Sequence, residues 1–223
     1  MNLDQSIQLI AVAALPLLFA ITLHEVAHGW VANKLGDSTA AMLGRLSINP
    51  TKHIDLVGTI LVPIATLVLG GIIFGWAKPV PVNWNNLKNP RLDKALVSIA
   101  GPGANLLMAL FWALIAKSIL LYIPNPDNNI IRDSTNFFLL AAGFGIKINC
   151  LLLILNLLPI PPLDGSRVLA SILPYKAARS YELIEPYGLL ILLGLLFTGI
   201  LSYLILPPTI YLISLIQSGF SLG

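Results

Sequence analysis

Apolar residues fall into five long runs, Ile7–Val31, Leu56–Trp76, Lys94–Tyr122, Phe137–Leu158 and Tyr187–Leu206, separated by segments where Gly, Pro, Asn and charged residues gather. About 20 apolar residues suffice for a membrane-spanning helix, and four of the runs read as simple spans. The second contains Pro63, Gly70-Gly71 and Gly75 and is basic on both flanks. It reads as a broken or re-entrant hairpin that returns to the side it left, with a full span as the alternative. Between the runs, Asp37–Ile48 predicts a short hairpin or loop at the membrane surface. The proline-spaced segment from Trp76 to Pro90 predicts extended chain, because each proline turns its predecessor away from helix. Ser166–Ser180 predicts an interfacial helix. Pro207-Pro208 predicts the end of the last span, with Thr209–Gln217 as a short apolar tail.

The resulting fold class is an all-α polytopic membrane protein. Four to six transmembrane segments surround a three-helix core, with a short membrane-associated β-hairpin or loop. Residues 1–223 read as a single integral membrane domain, with a core of about 7–165 followed by C-terminal helices in 166–223. Composition agrees: 57% of the 223 residues are hydrophobic and 10% charged, against roughly 25% charged in a soluble domain. The net charge of +3 requires no nucleic acid, since Lys and Arg in the connecting segments are what membrane topology demands. Lys34, Arg45 and Lys52 follow the first run while only Asp4 precedes it, which directs its C-terminal end to the cytoplasm. Met1–Gln8 has no positive charge and does not read as the start of a cleavable signal peptide. Cys150, the single cysteine, excludes an intrachain disulfide.

One polar cluster interrupts the first run: His24-Glu25-Val26-Ala27-His28. Histidines at i and i+4 share a helical face one turn apart, so both imidazoles can hold one metal ion, and Glu25 can reach a water on it. Only three histidines exist in the chain, and two lie here, in a helix where ionisable groups are costly unless satisfied. A catalytic zinc takes three protein ligands and keeps an open position. Among the carboxylates, Asp164 follows the helix-breaking Pro159-Ile160-Pro161-Pro162 and lies at the cytoplasmic end of its span, the depth of the histidine pair. It is the stronger third ligand; a helix N-cap for the segment that follows is its other reading.

His-Glu-Val-Ala-His in a first span, Gly101-Pro-Gly-Ala-Asn105 in a later one and Asn156-Leu-Leu-Pro-Ile-Pro-Pro-Leu-Asp-Gly165 at the end of another together resemble the site-2 protease family of intramembrane zinc metalloproteases. Asn49–Thr59 and Gly75–Asn83 further resemble its compact prokaryotic branch, which lacks a PDZ domain. The resemblance implies one zinc ion on His24, His28 and Asp164, with Glu25 as the base. It also implies Asn105 beside the site, steadying the oxyanion, and His53 as an accessory residue. Interhelical glue is the other reading of Asn105, and a surface loop histidine that of His53.

The expected activity is hydrolysis of peptide bonds in or near the transmembrane helices of membrane-protein substrates. The enzyme would sit in a prokaryotic inner membrane with its site toward the cytoplasm, and residues 37–48 and 76–84 would offer edges for an extended substrate. The alternative is a zinc-binding membrane transporter without hydrolysis. Such a protein has no use for Glu25 in the place of a base and usually carries more intramembrane ligands along a path.

Overall fold

The structure, a computed structural model, describes residues 3–62, 65, 75–123 and 128–222. Five of its helices are long and apolar enough to cross a membrane. The first, α1 (Leu3–Leu35), leads into the single turn α2 (Thr39–Met42). Two helices follow, α3 (Pro90–Tyr122), with its proline in the first turn where no N–H is needed, and α4 (Asn129–Leu157), capped by the Asn128 side chain. Then come α5 (Asp164–Ile172), α6 (Tyr175–Glu182), α7 (Gly188–Phe197) and α8 (Ile200–Gly219).

Helices α1, α3 and α4 pack on one another as the three-helix core. Lipid is as apolar as leucine, so close backbone approach must do what the hydrophobic effect does in water. Small residues supply it. Ala109, Ala113 and Ala116 of α3 lie buried against Ala142, Ile146 and Cys150 of α4, with Ile216 of α8 closing the cluster. Gly145 seats Trp112 so tightly that a Cβ there would stand 2.4 Å from the indole.

Residues 37–48 form a loop with one helical turn rather than a β-hairpin, and no strand occurs among the described residues. The reason is Asp37. Its carboxylate accepts from Thr39 N–H, the Thr39 hydroxyl and the Asn86 amide on one oxygen, and from Asn83 N–H on the other at 2.7 Å. Donors that a hairpin would spend on a partner strand converge on this side chain.

The middle of the 56–76 run lies outside the described residues. Its two ends meet: Trp76 N–H donates to Gly58 O at 2.9 Å and the Thr59 hydroxyl to Trp76 O at 3.0 Å. Asp55 caps the opening turn by accepting from Val57 and Gly58 N–H.

The C-terminal part divides differently from the sequence reading. The predicted interfacial helix is two helices, parted at Leu173-Pro174. The next break falls at Gly199 (φ +76°), a left-handed residue that ends α7. Helix α8 then runs straight through Pro207-Pro208. Proline is tolerated inside membrane helices where neighbouring groups re-satisfy the backbone.

Candidate metal centre

Helix α1 presents His24 and His28 with ring centroids 4.7 Å apart and planes at 82°. Opposite them runs a single stripe of α3, Val97, Gly101 and Asn105, spaced four residues apart. His28 Nδ1 donates to Val97 O at 2.7 Å, and His24 Nδ1 donates to Asn105 Oδ1 at 2.6 Å. Between these two contacts lies Gly101. A Cβ on it would stand 2.3 Å from His28 Nε2 and 2.6 Å from His24 Nε2, so only glycine leaves the two nitrogens room.

Asp164 arrives from the other side. Helix α4 ends at Leu157, the proline-rich turn carries the chain around, and Asp164 is the first residue of α5. The N-cap position is held by Leu163, so the N-cap reading of Asp164 does not hold. Instead its Oδ2 lies 3.2 Å from His24 Nε2 and 3.3 Å from His28 Nε2, which are themselves 3.0 Å apart. Gly165 allows this approach, since a Cβ there would collide with Leu157 O at 2.2 Å. Burial, the largest influence on the Asp164 carboxyl, raises its pKa; only with imidazolium at His24 and His28 would their hydrogen bonds and charge outweigh it and depress the value.

The donor set can be tested for what it would hold. A carbonyl oxygen only accepts, so His28 keeps its proton on Nδ1 and turns a bare Nε2 inward. His24 does the same through Asn105. Two lone pairs and a carboxylate oxygen therefore face one another, and Asp164 Oδ2 is buried with no aligned hydrogen bond. Such an arrangement calls for a cation. A tetrahedral zinc with bonds of about 2.0–2.1 Å has ligand–ligand edges of about 3.3–3.4 Å, close to the three separations here. The residues fit zinc.

Glu25 reaches the extended segment, where its Oε2 accepts Val80 N–H at 2.7 Å. Val80 packs where Gly29, one turn beyond Glu25, leaves a hollow; a Cβ on Gly29 would meet the Val80 side chain at 2.7 Å. The segment is pinned every second residue, by Trp76 N–H to Gly58 O, Lys78 N–H to His53 O at 2.9 Å, and Val80 N–H to Glu25. Pro79 and Pro81 between them carry no N–H. From 78 to 81 the segment thus has no free donor with which to hold a second strand, which narrows the substrate edge expected over 76–84.

Asn105 and His53 take settings other than those the resemblance implies. Asn105 does reach the site, but its two amide hydrogens go to Ala20 O at 3.2 Å and Asn149 Oδ1 at 3.0 Å, leaving none for an oxyanion. It faces the metal position only through His24. His53 is buried, not a surface residue, and its Nε2 bonds Ser47 O at 2.9 Å. Among the described residues, no hydrogen bond or ion pair joins its side chain to His24, Glu25, His28 or Asp164. It meets the site through its carbonyl, which anchors Lys78 two residues before Val80.

Sequence reasoning gave no site role to Val80 or Asn149 and did not separate Gly101 from the other small residues of its motif. Gly101 had a signal, the small residues of Gly-Pro-Gly-Ala, but spacing does not say which glycine faces the histidines. Gly103 in fact faces nothing within 4 Å. The Val80 contribution is a backbone amide, which no residue type announces.

Comparison with known proteins decides the family, since the profile of peptidase family M50 matches residues 12–199. The chain belongs to peptidase family M50. This is the site-2 protease family that the three motifs resemble, and M50 relatives bear names of the same kind. The chain is 40% identical over 191 residues to "Putative zinc metalloprotease YwhC" of Bacillus subtilis, covering 86% of this chain and 82% of that one. It is 31% identical over 186 residues to "Putative zinc metalloprotease Rip2" of Mycolicibacterium smegmatis, covering 83% and 66%. The Rip2 protein of Mycobacterium tuberculosis H37Rv is 30% identical over 178 residues, with 80% and 63% covered. The chain thus spans just under two thirds of the Rip2 proteins' length. No solved structure matches it.

Proposed function

We propose that this M50 protein hydrolyses peptide bonds in or near transmembrane helices of membrane-protein substrates, with His24, His28 and Asp164 as zinc ligands and Glu25 as the catalytic base. The observation that carries this is the triangle of two bare imidazole nitrogens and one carboxylate oxygen, with a further carboxylate at the position next to His24. Zinc bound there supplies a Lewis acid and a water whose pKa is lowered toward about 7. Glu25 takes a proton from the attacking water and later gives it to the departing amine, so the one carboxylate serves both steps. The Val80 amide fixes its orientation while leaving its second oxygen outside that bond. A transporter needs no base, and nothing in the site favours one.

A helical substrate hides its carbonyls in hydrogen bonds, so it must unwind locally to meet the site. His24 and Asp164 are 8% and 6% exposed, which asks for an opening between elements before substrate enters. The loop at 37–48 remains our candidate for contact with the unwound chain. We place the site at the cytoplasmic face of a prokaryotic inner membrane. The support is charge: Arg91 and Lys94 at the start of α3 bond Leu173 O and Glu182, and Arg167 pairs with Glu185 at 3.1 Å, so the basic residues gather at the end that carries Asp164.

The test is cleavage of single-span substrates in proteoliposomes by the wild type and Glu25→Gln, with zinc measured in both. Zinc retained and cleavage lost in Glu25→Gln is the expected result. Equal cleavage by the two proteins would remove Glu25 from the mechanism.

A further inference from the structure

Among the described residues, no hydrogen bond or ion pair joins Asn149 to any of the three ligands. It is fully buried on α4, in a helix where an amide is costly unless satisfied. Its bonds form one directed chain. Asn149 Nδ2 donates to Gly145 O at 2.8 Å. That carbonyl can only accept, so the other end of the Asn149 amide, facing Asn105, must be the oxygen. Asn105 therefore turns its Nδ2 toward Asn149, and the same nitrogen reaches a second obligate acceptor, Ala20 O. Asn105 Oδ1 is then left for His24, whose Nδ1 must carry the proton. The ring is neutral with a bare Nε2, the form that binds a metal.

We infer that Asn149 is a positioning residue for the metal centre: acting through Asn105, it fixes the His24 tautomer that presents Nε2 to the ion. The inference rests on reading His24, His28 and Asp164 as that centre. Partners of metal-bound histidines orient the ring and fix its tautomer, and losing one costs about 10–100-fold in metal affinity. Asn149 stands one step further out. It strengthens the hold of Ala20 O on Asn105, whose amide, turned by 180°, would offer His24 a donor, favour the opposite tautomer and place a proton on Nε2. With Asn149 Oδ1 and Ala20 O both demanding a donor, that rotation would set oxygen against oxygen twice.

The experiment uses the zinc-loaded full chain in detergent. Zinc affinity is measured by competition with a chelator for wild type, Asn149→Leu, Asn105→Leu and the double variant, and the His24 tautomer is read from 15N shifts of the metal-free proteins. Asn149→Leu is expected to weaken zinc by about tenfold and to replace the Nδ1–H form of His24 with a mixture. In the Asn105→Leu background the same change is expected to do nothing more to zinc affinity, because its route to His24 is gone. Asn149→Asp, in the neutral protonated form that this buried place favours, donates its O–H to Gly145 O and keeps an acceptor toward Asn105, and is expected to stay within about threefold of wild type. This variant also answers if Asn149→Leu does not fold. Effects that add in the double variant, an unchanged tautomer, or equal losses in Asn149→Asp and Asn149→Leu would each overturn the inference. A wild type that binds no zinc would instead overturn the reading of the site on which it rests.

Discussion

A methyl group on Gly101 would stand 2.3 Å from His28 Nε2, the atom that would bind the metal. Gly103, two residues on in the same helix, faces nothing within 4 Å. The pair makes a sharp contrast. Gly101→Ala is expected to abolish stoichiometric zinc and lower cleavage by at least about 100-fold, since overpacking here costs roughly 1–3 kcal/mol and lands on the ligand atoms. Gly103→Ala is expected to keep zinc and gain up to about 1 kcal/mol of helix stability. Elemental analysis and thermal unfolding of both variants check this.

The Val80 amide is the hydrogen-bond donor by which the extended segment holds Glu25. Val80→Pro removes that donor and leaves the chain extended, as its neighbours Pro79 and Pro81 already require. A hydrogen bond to a charged group contributes about 1.5–3 kcal/mol. The expected outcome is zinc unchanged, kcat down by about tenfold or more, and a much smaller change in KM. A KM effect with kcat intact would assign Val80 to substrate binding instead.

Asp37 predicts an acid limb of stability. Burial, the largest influence on its carboxyl, pushes the pKa up. Hydrogen bonds from the Thr39 hydroxyl and the Asn86 amide, with those from Asn83 and Thr39 N–H, outweigh it and depress the folded value. A depressed folded pKa stabilises the protein above the unfolded value of about 3.9, and this contribution is lost as pH falls below it. Asp37→Asn can offer one acceptor oxygen where two are used, so it is expected to lower the melting temperature at pH 7. It is also expected to narrow the gap to wild type as pH drops from about 5 to 3. Thermal melts of both proteins across that range decide it; a constant gap would contradict the assignment.

Gly199 breaks the C-terminal pair of helices with φ +76° and no neighbour within 4 Å of a Cβ. Gly199→Ala is expected to cost about 1–2 kcal/mol of stability through backbone strain alone, with zinc content and kcat unchanged. Melting temperature and turnover measured on one preparation test both halves of this.

Much of the architecture was legible because lipid leaves the chain few options. A long apolar run must be helix, so three of the spans could be drawn from hydropathy, and the histidine pair stood out because an ionisable group inside a span is rare. Asp164 could be placed by depth alone. The rest depended on contacts that residue type does not encode. Asp37 gathers donors from Thr39, Asn83 and Asn86, across 46 or more residues for the last two, and so makes a loop where alternation hinted at a hairpin. Pro207-Pro208 looked like a stop, yet the helix passes through it and breaks at Gly199 instead. Asn105 was named from its motif, while its hydrogen bonds to His24, Ala20 and Asn149 are contacts that the motif does not encode.

The most direct test of the proposed metal centre is zinc K-edge X-ray absorption of the purified full chain. Two imidazole nitrogens and a carboxylate oxygen at about 2.0–2.1 Å, with one further light atom, are predicted. A protein that carries no zinc, or a zinc shell without two imidazoles, would contradict the account.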